Sequence, residues 1–153
     1  MPKKTITFDI VSATKADLKA CEWLGKFKEF KEASGDYINA SFLAHYLSKD
    51  FFLVVKKGKE VVGYLVAEKL RARGAIIWYL AIKAKYRDHG LGHQLLNEFE
   101  KRCHKHKLEW INLYALKNKH TLDFYKNSGY SAGENEEEFT KLLNVKRFRD
   151  LKI

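Results

Sequence analysis

Apolar and polar residues alternate in the first half of the chain with the period of two that β-strands show. This alternation predicts a first strand over Thr5–Ser12, and the runs Phe51–Val55 and Val61–Ala67, which flank a turn at Gly58, predict a β-hairpin. A second turn leads into Ala75–Ile82, an apolar run long enough for the centre of a sheet. We therefore expect three consecutive antiparallel strands in this region.

The segment between the first strand and the hairpin has helical spacing instead. Thr14 and Asp17 stand before apolar positions in the manner of a helix start, and the predicted helix runs towards Phe30. Asp36 is suited to cap a second helix, in which apolar residues recur up to Leu47. Two adjoining helices are therefore expected before the hairpin.

A long amphipathic helix is predicted beyond the apolar run. Because Trp110–Tyr114 follows a strand and a helix, this next strand should lie parallel to Ala75–Ile82. The apolar stripe of the predicted helix consists of Leu91, Leu95, Leu96, Phe99 and Cys103.

The remaining third of the chain is expected to close the sheet. Asn118 is suited to cap a short helix that Gly129 ends, and Tyr130–Ala132 with Glu138–Leu143 are predicted to form a final hairpin. The whole pattern predicts a mixed α/β fold. Its sheet should be mostly antiparallel, with about six to seven strands, a central parallel pair and about four flanking helices.

Length and composition narrow the classes of function. A chain of 153 residues suits one domain spanning residues 1–153, of which 144–153 form a basic tail. No signal-like segment and no run of about 18 apolar residues is present, so we expect a cytoplasmic protein without membrane contact. The two cysteines are far apart, which argues against a disulfide scaffold. Cys103 and His106 share a helix face, but further ligands are not evident, so no metal is expected.

Charge leaves several partners open. The chain carries 29 Lys and Arg against 19 Asp and Glu, a net charge of +10. Such a field attracts nucleic acid, an acidic protein or a phosphorylated cofactor. A non-catalytic basic module that binds nucleic acid is therefore one alternative, and a well-solvated lysine surface is another.

The segment Leu80–Gly92 has the character of an anion cradle. It joins the apolar strand to the long helix and contains Arg87, Gly90 and Gly92. Glycines let a backbone approach a ligand closely, and the N–H groups and dipole at a helix N-terminus favour an anion such as pyrophosphate. A Rossmann fingerprint would need a third glycine where Leu95 stands, and no P-loop sequence occurs.

This segment resembles the central motif of the GNAT superfamily of acyl-CoA N-acyltransferases, roughly L-x-V-x-P-x-Y-R-x-x-G-x-G. The match runs from Leu80 to Gly92 and departs at Ala84, where proline is common. A second family motif has an Asn followed seven residues later by a Tyr and then by a Gly-aromatic step. It is matched by Asn118, Tyr125, Gly129 and Tyr130.

The resemblance implies an enzyme that transfers an acetyl group from acetyl-CoA to a primary amine of an acceptor. It implies that backbone groups of Leu80 and Ile82 pair with the pantetheine arm, and that the Ile82 N–H polarises the thioester carbonyl. The implied pyrophosphate site consists of backbone N–H groups from Arg87 to Gly92, with charge added by Lys83, Lys85, Arg87 and Lys119. The full implied set for acetyl-CoA is Leu80, Ala81, Ile82, Arg87, Asp88, His89, Gly90, Leu91, Gly92, His93, Asn118 and Tyr125.

Attack of an amine on a thioester also needs a base, an oxyanion donor and a proton for the departing thiolate. The resemblance assigns the last task to Tyr125, whose phenol is a hydrogen-bond donor. Many relatives have a Glu in the strand before the Asn loop, but residues 112–114 offer no carboxylate. The base therefore stays open among Glu68, Glu109 and His120.

The acceptor itself is not specified by the sequence. In such folds the segment Glu22–Tyr46 lines the acceptor side, and its aromatic residues either form a slot or pack as core. A small-molecule amine and a peptide amine both remain open, as do a monomer and a homodimer.

Overall fold

The computed structural model describes residues 5–26, 38–133 and 141. These residues form five strands: β1 (Asp9–Ser12), β2 (Phe52–Lys57), β3 (Glu60–Lys69), β4 (Gly74–Ile82) and β5 (Trp110–Leu113). They also form four α-helices: α1 (Leu18–Leu24), α2 (Ala40–Ala44), α3 (Leu91–Lys105) and α4 (Lys119–Asn127). Short 3₁₀ turns at Lys15–Asp17 and Ala84–Tyr86 precede α1 and α3.

The five strands form one sheet in chain order, with β1 at one edge and β5 at the other edge of its described part. Neighbouring strands are antiparallel as far as β4, whereas β4 and β5 are parallel. A parallel pair requires a crossover connection, which α3 provides. The predicted hairpin, antiparallel run and parallel crossover are confirmed, and the architecture is the expected mixed α/β fold.

The described sheet is smaller than predicted, with five strands rather than six to seven and with its parallel pair at the edge rather than the centre. Tyr130–Ala132 is not a strand, because the Tyr130 N–H donates to the Tyr125 carbonyl (3.0 Å) and so completes the end of α4. The second half of the predicted hairpin, Glu138–Leu143, lies outside the described residues except for position 141.

The first strand is also shorter than predicted. It begins at Asp9, which pairs with Lys56, and not at Thr5. The partner strand β2 ends at Lys57, one residue beyond Lys56, so residues before Phe8 have no strand residue opposite them. Register with the neighbouring strand, which alternation alone does not report, therefore sets this boundary.

The first helix begins where the sequence predicts. Asp17 accepts a hydrogen bond from the Thr14 N–H (2.9 Å) and forms an ion pair with Lys56 (2.9 Å), so its buried carboxylate is satisfied. The predicted extension towards Phe30 and the predicted cap at Asp36 lie outside the described residues.

The second helix is capped by Asn39. The Asn39 Oδ1 accepts the Phe42 N–H (2.8 Å), and the helix ends at Ala44, so Leu47 lies beyond it. Within the described ranges, no helix is both long enough and apolar enough to cross a membrane.

Side chains of the central strands alternate between two apolar layers, as a period of two requires. Leu53 and Val55 of β2 face a layer that contains the buried stripe of α3, with α4 packed at its margin. Phe52 and Val54 face the opposite layer, which α1 and α2 cover. The sheet is therefore buried on both faces by helices, and the stripe predicted for α3 is confirmed.

An ionic cluster fixes the C-terminal end of α3. Asp50, which precedes β2, accepts a hydrogen bond from the His106 ring (2.7 Å) and lies 3.7 Å from the nearest guanidinium nitrogen of Arg102. The hydrogen bond from His106, together with neighbouring cations, holds the pKa of Asp50 below its ordinary value. Arg102 also donates to the Lys49 carbonyl (2.7 Å), so the loop before β2 is tied to the helix.

Candidate active site

One cavity of about 510 Å³ opens beside the C-terminal half of β4. Its walls are this half strand, the turn that follows it, the start of α3, the loop after β5 and the helix α4. All of the predicted site residues except His89 line the cavity: Leu80, Ala81, Ile82, Arg87, Asp88, Gly90, Leu91, Gly92, His93, Asn118 and Tyr125.

The cavity forms where β4 and β5 separate. Their pairing ends at Ile77 opposite Leu113, although β4 continues to Ile82. Trp78, the next residue, is the extra residue of a β-bulge, since the neighbouring strand β3 pairs with Ile77 and Tyr79 in succession. A bulge increases local twist and bends its strand, which helps to turn β4 away from β5.

Backbone groups of β4 point into this gap. The Lys83 N–H donates to the Val62 carbonyl on β3 (2.7 Å), and backbone groups of successive strand residues point to alternate sides. Leu80 and Ile82 therefore direct their N–H and C=O groups away from β3, towards the cavity. The Ile82 carbonyl accepts a hydrogen bond from the Arg87 Nε (3.0 Å). The Ile82 N–H is therefore the backbone group that Ile82 can offer to a ligand in the cavity.

The turn after β4 presents a helix N-terminus to the cavity. Asp88 and Gly90 both have left-handed backbone torsions, with φ of 65° and 74°. The first helical hydrogen bond of α3 runs from the Gln94 N–H to the Gly90 carbonyl (3.0 Å), so the amides of residues 90–93 have no helical acceptor. Gly90 is the N-cap residue of α3, and no side-chain hydrogen bond caps this helix end within the described residues. Unpaired amides and the dipole at a helix N-terminus are suited to bind an anion.

The two glycines of the turn serve different physical purposes. Gly90 supplies the left-handed torsion, and a Cβ added there would meet no atom within 4 Å. A Cβ on Gly92 would instead lie 3.1 Å and 3.2 Å from two ring atoms of Phe124. Gly92 therefore allows the first turn of α3 to pack closely against α4, which carries Tyr125.

The two histidines of the motif have different positions. His93 contacts α4, because its Nδ1 lies 3.0 Å from the Ser128 Oγ and its ring centroid lies 4.5 Å from that of Phe124. His89 is exposed and does not line the cavity, and its Nδ1 lies 2.9 Å from the Arg87 carbonyl. The structure brings the His93 side chain, and not that of His89, to the site.

Most of the predicted basic side chains are engaged elsewhere. Lys83 forms an ion pair with Glu60 (2.6 Å), and Lys119 forms one with Asp123 on the surface of α4. The Lys85 ammonium lies 5.0 Å from the centre of the Tyr86 ring. Of the four predicted cations, Arg87 alone lines the cavity within the described residues.

The end of α4 fixes the ring of Tyr125. Gly129 has φ of 90°, and its N–H donates to the Lys126 carbonyl while the Tyr130 N–H donates to the Tyr125 carbonyl, which is the Schellman pattern. The Tyr130 ring packs edge-on against that of Tyr125 with centroids 5.8 Å apart, and its hydroxyl donates to Glu100 (2.9 Å). Burial raises the pKa of Tyr125 to about 12, so its phenol stays protonated.

Asn118 begins α4 as predicted. Its Oδ1 accepts the Thr121 N–H (2.8 Å), so the side-chain amide nitrogen is the group that remains for a ligand. Among the three predicted bases, His120 lines the cavity, whereas Glu68 does not line it and accepts the Trp78 indole N–H (3.1 Å). Glu109 is bound to Arg73 (2.6 Å) beside the first residue of β4, at the other end of the strand, and does not line it.

The cysteine and histidine cluster of α3 does not converge on a site. Cys103 lies in the core, and burial raises the pKa of its thiol to about 12. His106 is bound to Asp50. In the part of the chain that the structure describes, no three His, Cys, Asp or Glu side chains are grouped so that they could hold a metal ion.

Two aromatic residues line the cavity although the sequence analysis did not predict them as site residues. Trp78 and Tyr114 line the cavity with 36% and 67% of their surfaces exposed. Trp78 lies within an apolar strand and therefore has the sequence pattern of a core residue. The bulge that exposes it to the cavity cannot be recognised from the alternation of apolar and polar residues. The available signal was the position of Tyr114, directly at the end of a strand predicted to lie beside the motif strand.

Comparison with known proteins shows which family and which solved structures the chain resembles. Residues 15–146 match the acetyltransferase (GNAT) domain. Among curated proteins, none matches the sequence significantly. The fold is similar to that of the PaiA N-acetyltransferase from Thermoplasma acidophilum, solved in complex with coenzyme A (17% identity, TM-score 0.71, 86% of this chain and 94% of that chain covered).

Two further solved structures have the same fold. Naa50 from Arabidopsis thaliana, in complex with the bisubstrate analogue CoA-Ac-MVNAL, is 21% identical with a TM-score of 0.68, covering 84% of this chain and 86% of that chain. An aminoglycoside acetyltransferase from an uncultured soil metagenomic sample, in complex with sisomicin, is 20% identical with a TM-score of 0.68, covering 91% and 97%. The family match spans most of the sequence and every wall of the cavity, and the chain therefore belongs to the GNAT acetyltransferase family.

Proposed function

We propose that this protein is an N-acetyltransferase that moves the acetyl group of acetyl-CoA to a primary amine of an acceptor. The observation that carries the proposal is the continuity of one cavity. It runs from the amides at the start of α3, along the open edge of β4, to Tyr125. Acetyl-CoA carries a diphosphate, an extended arm and a thioester in that order, so each part of the cavity meets a group that it suits.

Binding in this proposal uses backbone groups more than side chains. The amides of residues 90–93 donate to the diphosphate, and Arg87 adds a positive charge. Leu80 and Ile82 pair with the amides of the pantetheine arm in the way that a neighbouring strand would. The PaiA complex with coenzyme A and the Naa50 complex with a CoA analogue support this use of the fold.

The chemistry in this proposal is direct transfer. The acceptor nitrogen forms a bond to the carbonyl carbon, the bond from carbon to sulfur breaks, and CoA leaves as a thiol. The Ile82 N–H donates to the carbonyl oxygen as negative charge develops on it. His120 accepts the proton that the amine must lose, since it is the one predicted base that lines the described cavity.

Tyr125 supplies the donor for the departing sulfur. A thiol of the cysteine type has a pKa of about 8.5, so full transfer from a phenol of pKa about 12 would be uphill by roughly 5 kcal/mol. Tyr125 therefore acts first as a hydrogen-bond donor to the developing thiolate. The proton released when the amine becomes an amide then completes the thiol.

A thiol-release assay tests the proposal. Acetyl-CoA is incubated with the protein and a panel of amines that includes peptide N-termini, lysine, polyamines and aminoglycosides. We expect at least one amine to release thiol well above the rate of acetyl-CoA hydrolysis, and Glu109→Gln to leave that rate unchanged because Glu109 lies outside the cavity. Absence of amine-dependent release across the panel would reject the proposal.

A further inference from the structure

An aromatic group lies where the cavity meets the bulge of β4. Trp78 is the bulge residue and lines the cavity, and the centroid of its ring lies 6.4 Å from that of Tyr46, which follows α2. Phe42 continues the row, with its ring centroid 5.3 Å from that of Tyr46. The row connects α2 to the cavity wall, and Trp78 is 36% exposed in spite of its size.

A carboxylate lies directly against this aromatic group. The Trp78 indole N–H donates to Glu68 Oε2 (3.1 Å) across the β3–β4 pair. Other carboxylates such as Asp17, Asp50 and Glu60 are held by Lys, Arg or His side chains. Glu68 is exposed, and no cation of the described residues lies within salt-bridge distance of it. Within the described residues, the Glu68 carboxylate therefore accepts from the indole N–H and has no cation as partner, although the chain has a net charge of +10.

A carboxylate next to an aromatic side chain is an arrangement that binds organic cations. The ring quadrupole attracts a cation, and the carboxylate adds a direct charge interaction. A net positive chain repels cationic ligands at long range, so a cationic acceptor needs a local negative site of this kind. We propose that Glu68, Trp78 and Tyr46, here called the cation subsite, bind a second positive charge of the acceptor.

The subsite is remote from the atoms that react. Trp78 stands four residues before Ile82, which along a strand is roughly 13 Å, less the shortening at the bulge. The nitrogen that attacks the thioester must be neutral, whereas the group at the cation subsite is charged. The acceptor is therefore an aliphatic diamine or polyamine, which carries one amine to the thioester and a second amine to Glu68. This inference rests on the proposed acetyltransferase function and specifies its substrate class.

Binding of matched ligands tests the inference separately from catalysis. Straight-chain diamines of four to eight carbons are titrated calorimetrically into the protein in the presence of CoA, together with diols of the same length. The diols match the diamines in length and in hydrogen bonding but carry no charge. We expect the best diamine to bind about tenfold more tightly than its diol.

Two variants assign the effect to the cation subsite. Glu68→Gln keeps an acceptor for the Trp78 N–H but removes the charge, so diamine affinity should fall to within about twofold of that of the diol, whose own affinity stays the same. Glu109→Gln removes an exposed carboxylate that is paired with Arg73 at the other end of β4, and should preserve the discrimination. Trp78→Phe should abolish any change in tryptophan fluorescence on diamine binding, leaving Trp23 and Trp110 as unaffected emitters.

The outcomes are distinct for the two proposals. Equal binding of diamine and diol by the unmodified protein, or full discrimination by Glu68→Gln, overturns the cation subsite. Failure of the amine panel to release thiol overturns the acetyltransferase proposal. The binding comparison does not depend on catalysis, so its result tests the cation subsite in either case.

Discussion

Three glycines permit a matched test of the account. Gly58, Gly90 and Gly129 have φ of 61°, 74° and 90°, and in none of them would an added Cβ meet an atom within 4 Å. Alanine at each position therefore introduces the same perturbation, a side chain in the left-handed region, without a steric clash. We expect each variant to lose about 1 kcal/mol of unfolding free energy and about 2–4 °C in melting temperature.

The functional effects of the three substitutions should differ. Gly58 lies in the β2–β3 turn outside the cavity, so Gly58→Ala should change stability alone. Gly90→Ala should rotate the amides of the α3 N-terminus, and the loss of one hydrogen bond to a charged diphosphate weakens acetyl-CoA binding about tenfold or more. Gly129→Ala should loosen the contact between Tyr130 and Tyr125, and so lower kcat while the Kd for acetyl-CoA changes little.

Thermal unfolding, calorimetric titration of acetyl-CoA and steady-state thiol release measure these three quantities on the same samples. Gly58→Ala serves as the control for strain. If Gly90→Ala bound acetyl-CoA as tightly as Gly58→Ala, the assignment of the α3 amides to the diphosphate would be refuted.

Three further predictions concern single side chains. Tyr125→Phe should lower kcat about 100-fold, with the Kd for acetyl-CoA unchanged within about twofold. Since burial raises the pKa of Tyr125 to about 12, ionisation of Tyr125 in the unmodified protein should not reduce kcat below about pH 11. His120→Gln should lower kcat/KM about 100-fold in thiol release, whereas the matched Glu109→Gln should not. Asp50→Asn should cost about 2 kcal/mol in urea unfolding at neutral pH, because Asp50 is 14% exposed and bound to His106. The pKa of Asp50 is lower in the folded state, so its carboxylate stabilises the fold fully above the unfolded pKa of about 4. This stabilisation is lost as the pH falls through the lower, folded-state pKa. The difference in unfolding free energy between the unmodified protein and Asp50→Asn should therefore shrink towards about pH 3.

Features that depend on neighbouring residues in the chain could be predicted from the sequence. The alternation of β2 and β3, the buried stripe of α3 and the cap at Asn118 are all set by local periodicity or by one side chain bonding its own turn. The amide-bearing turn belongs to this group, since the left-handed torsion of Gly90 and the helix start follow each other in sequence. The part of the cavity that these elements form was therefore predictable.

Features that depend on register between distant segments could not be predicted. The bulge at Trp78 and its contact with Glu68 arise from the pairing of β3 with β4. The ion pair that takes Lys83 away from the anion site joins residues 23 positions apart, and alternation does not reveal it. Tyr130 has a strand-like sequence context, but its backbone and ring close α4 instead.

Calorimetric titration with acetyl-CoA and with S-acetylpantetheine, which has the same thioester and arm but no diphosphate, measures what the diphosphate contributes to binding. If the amides of residues 90–93 bind the diphosphate, acetyl-CoA should bind saturably at sub-millimolar concentration and S-acetylpantetheine at least about tenfold more weakly. Equal affinity for the two ligands, or no saturable binding of acetyl-CoA, would contradict the account.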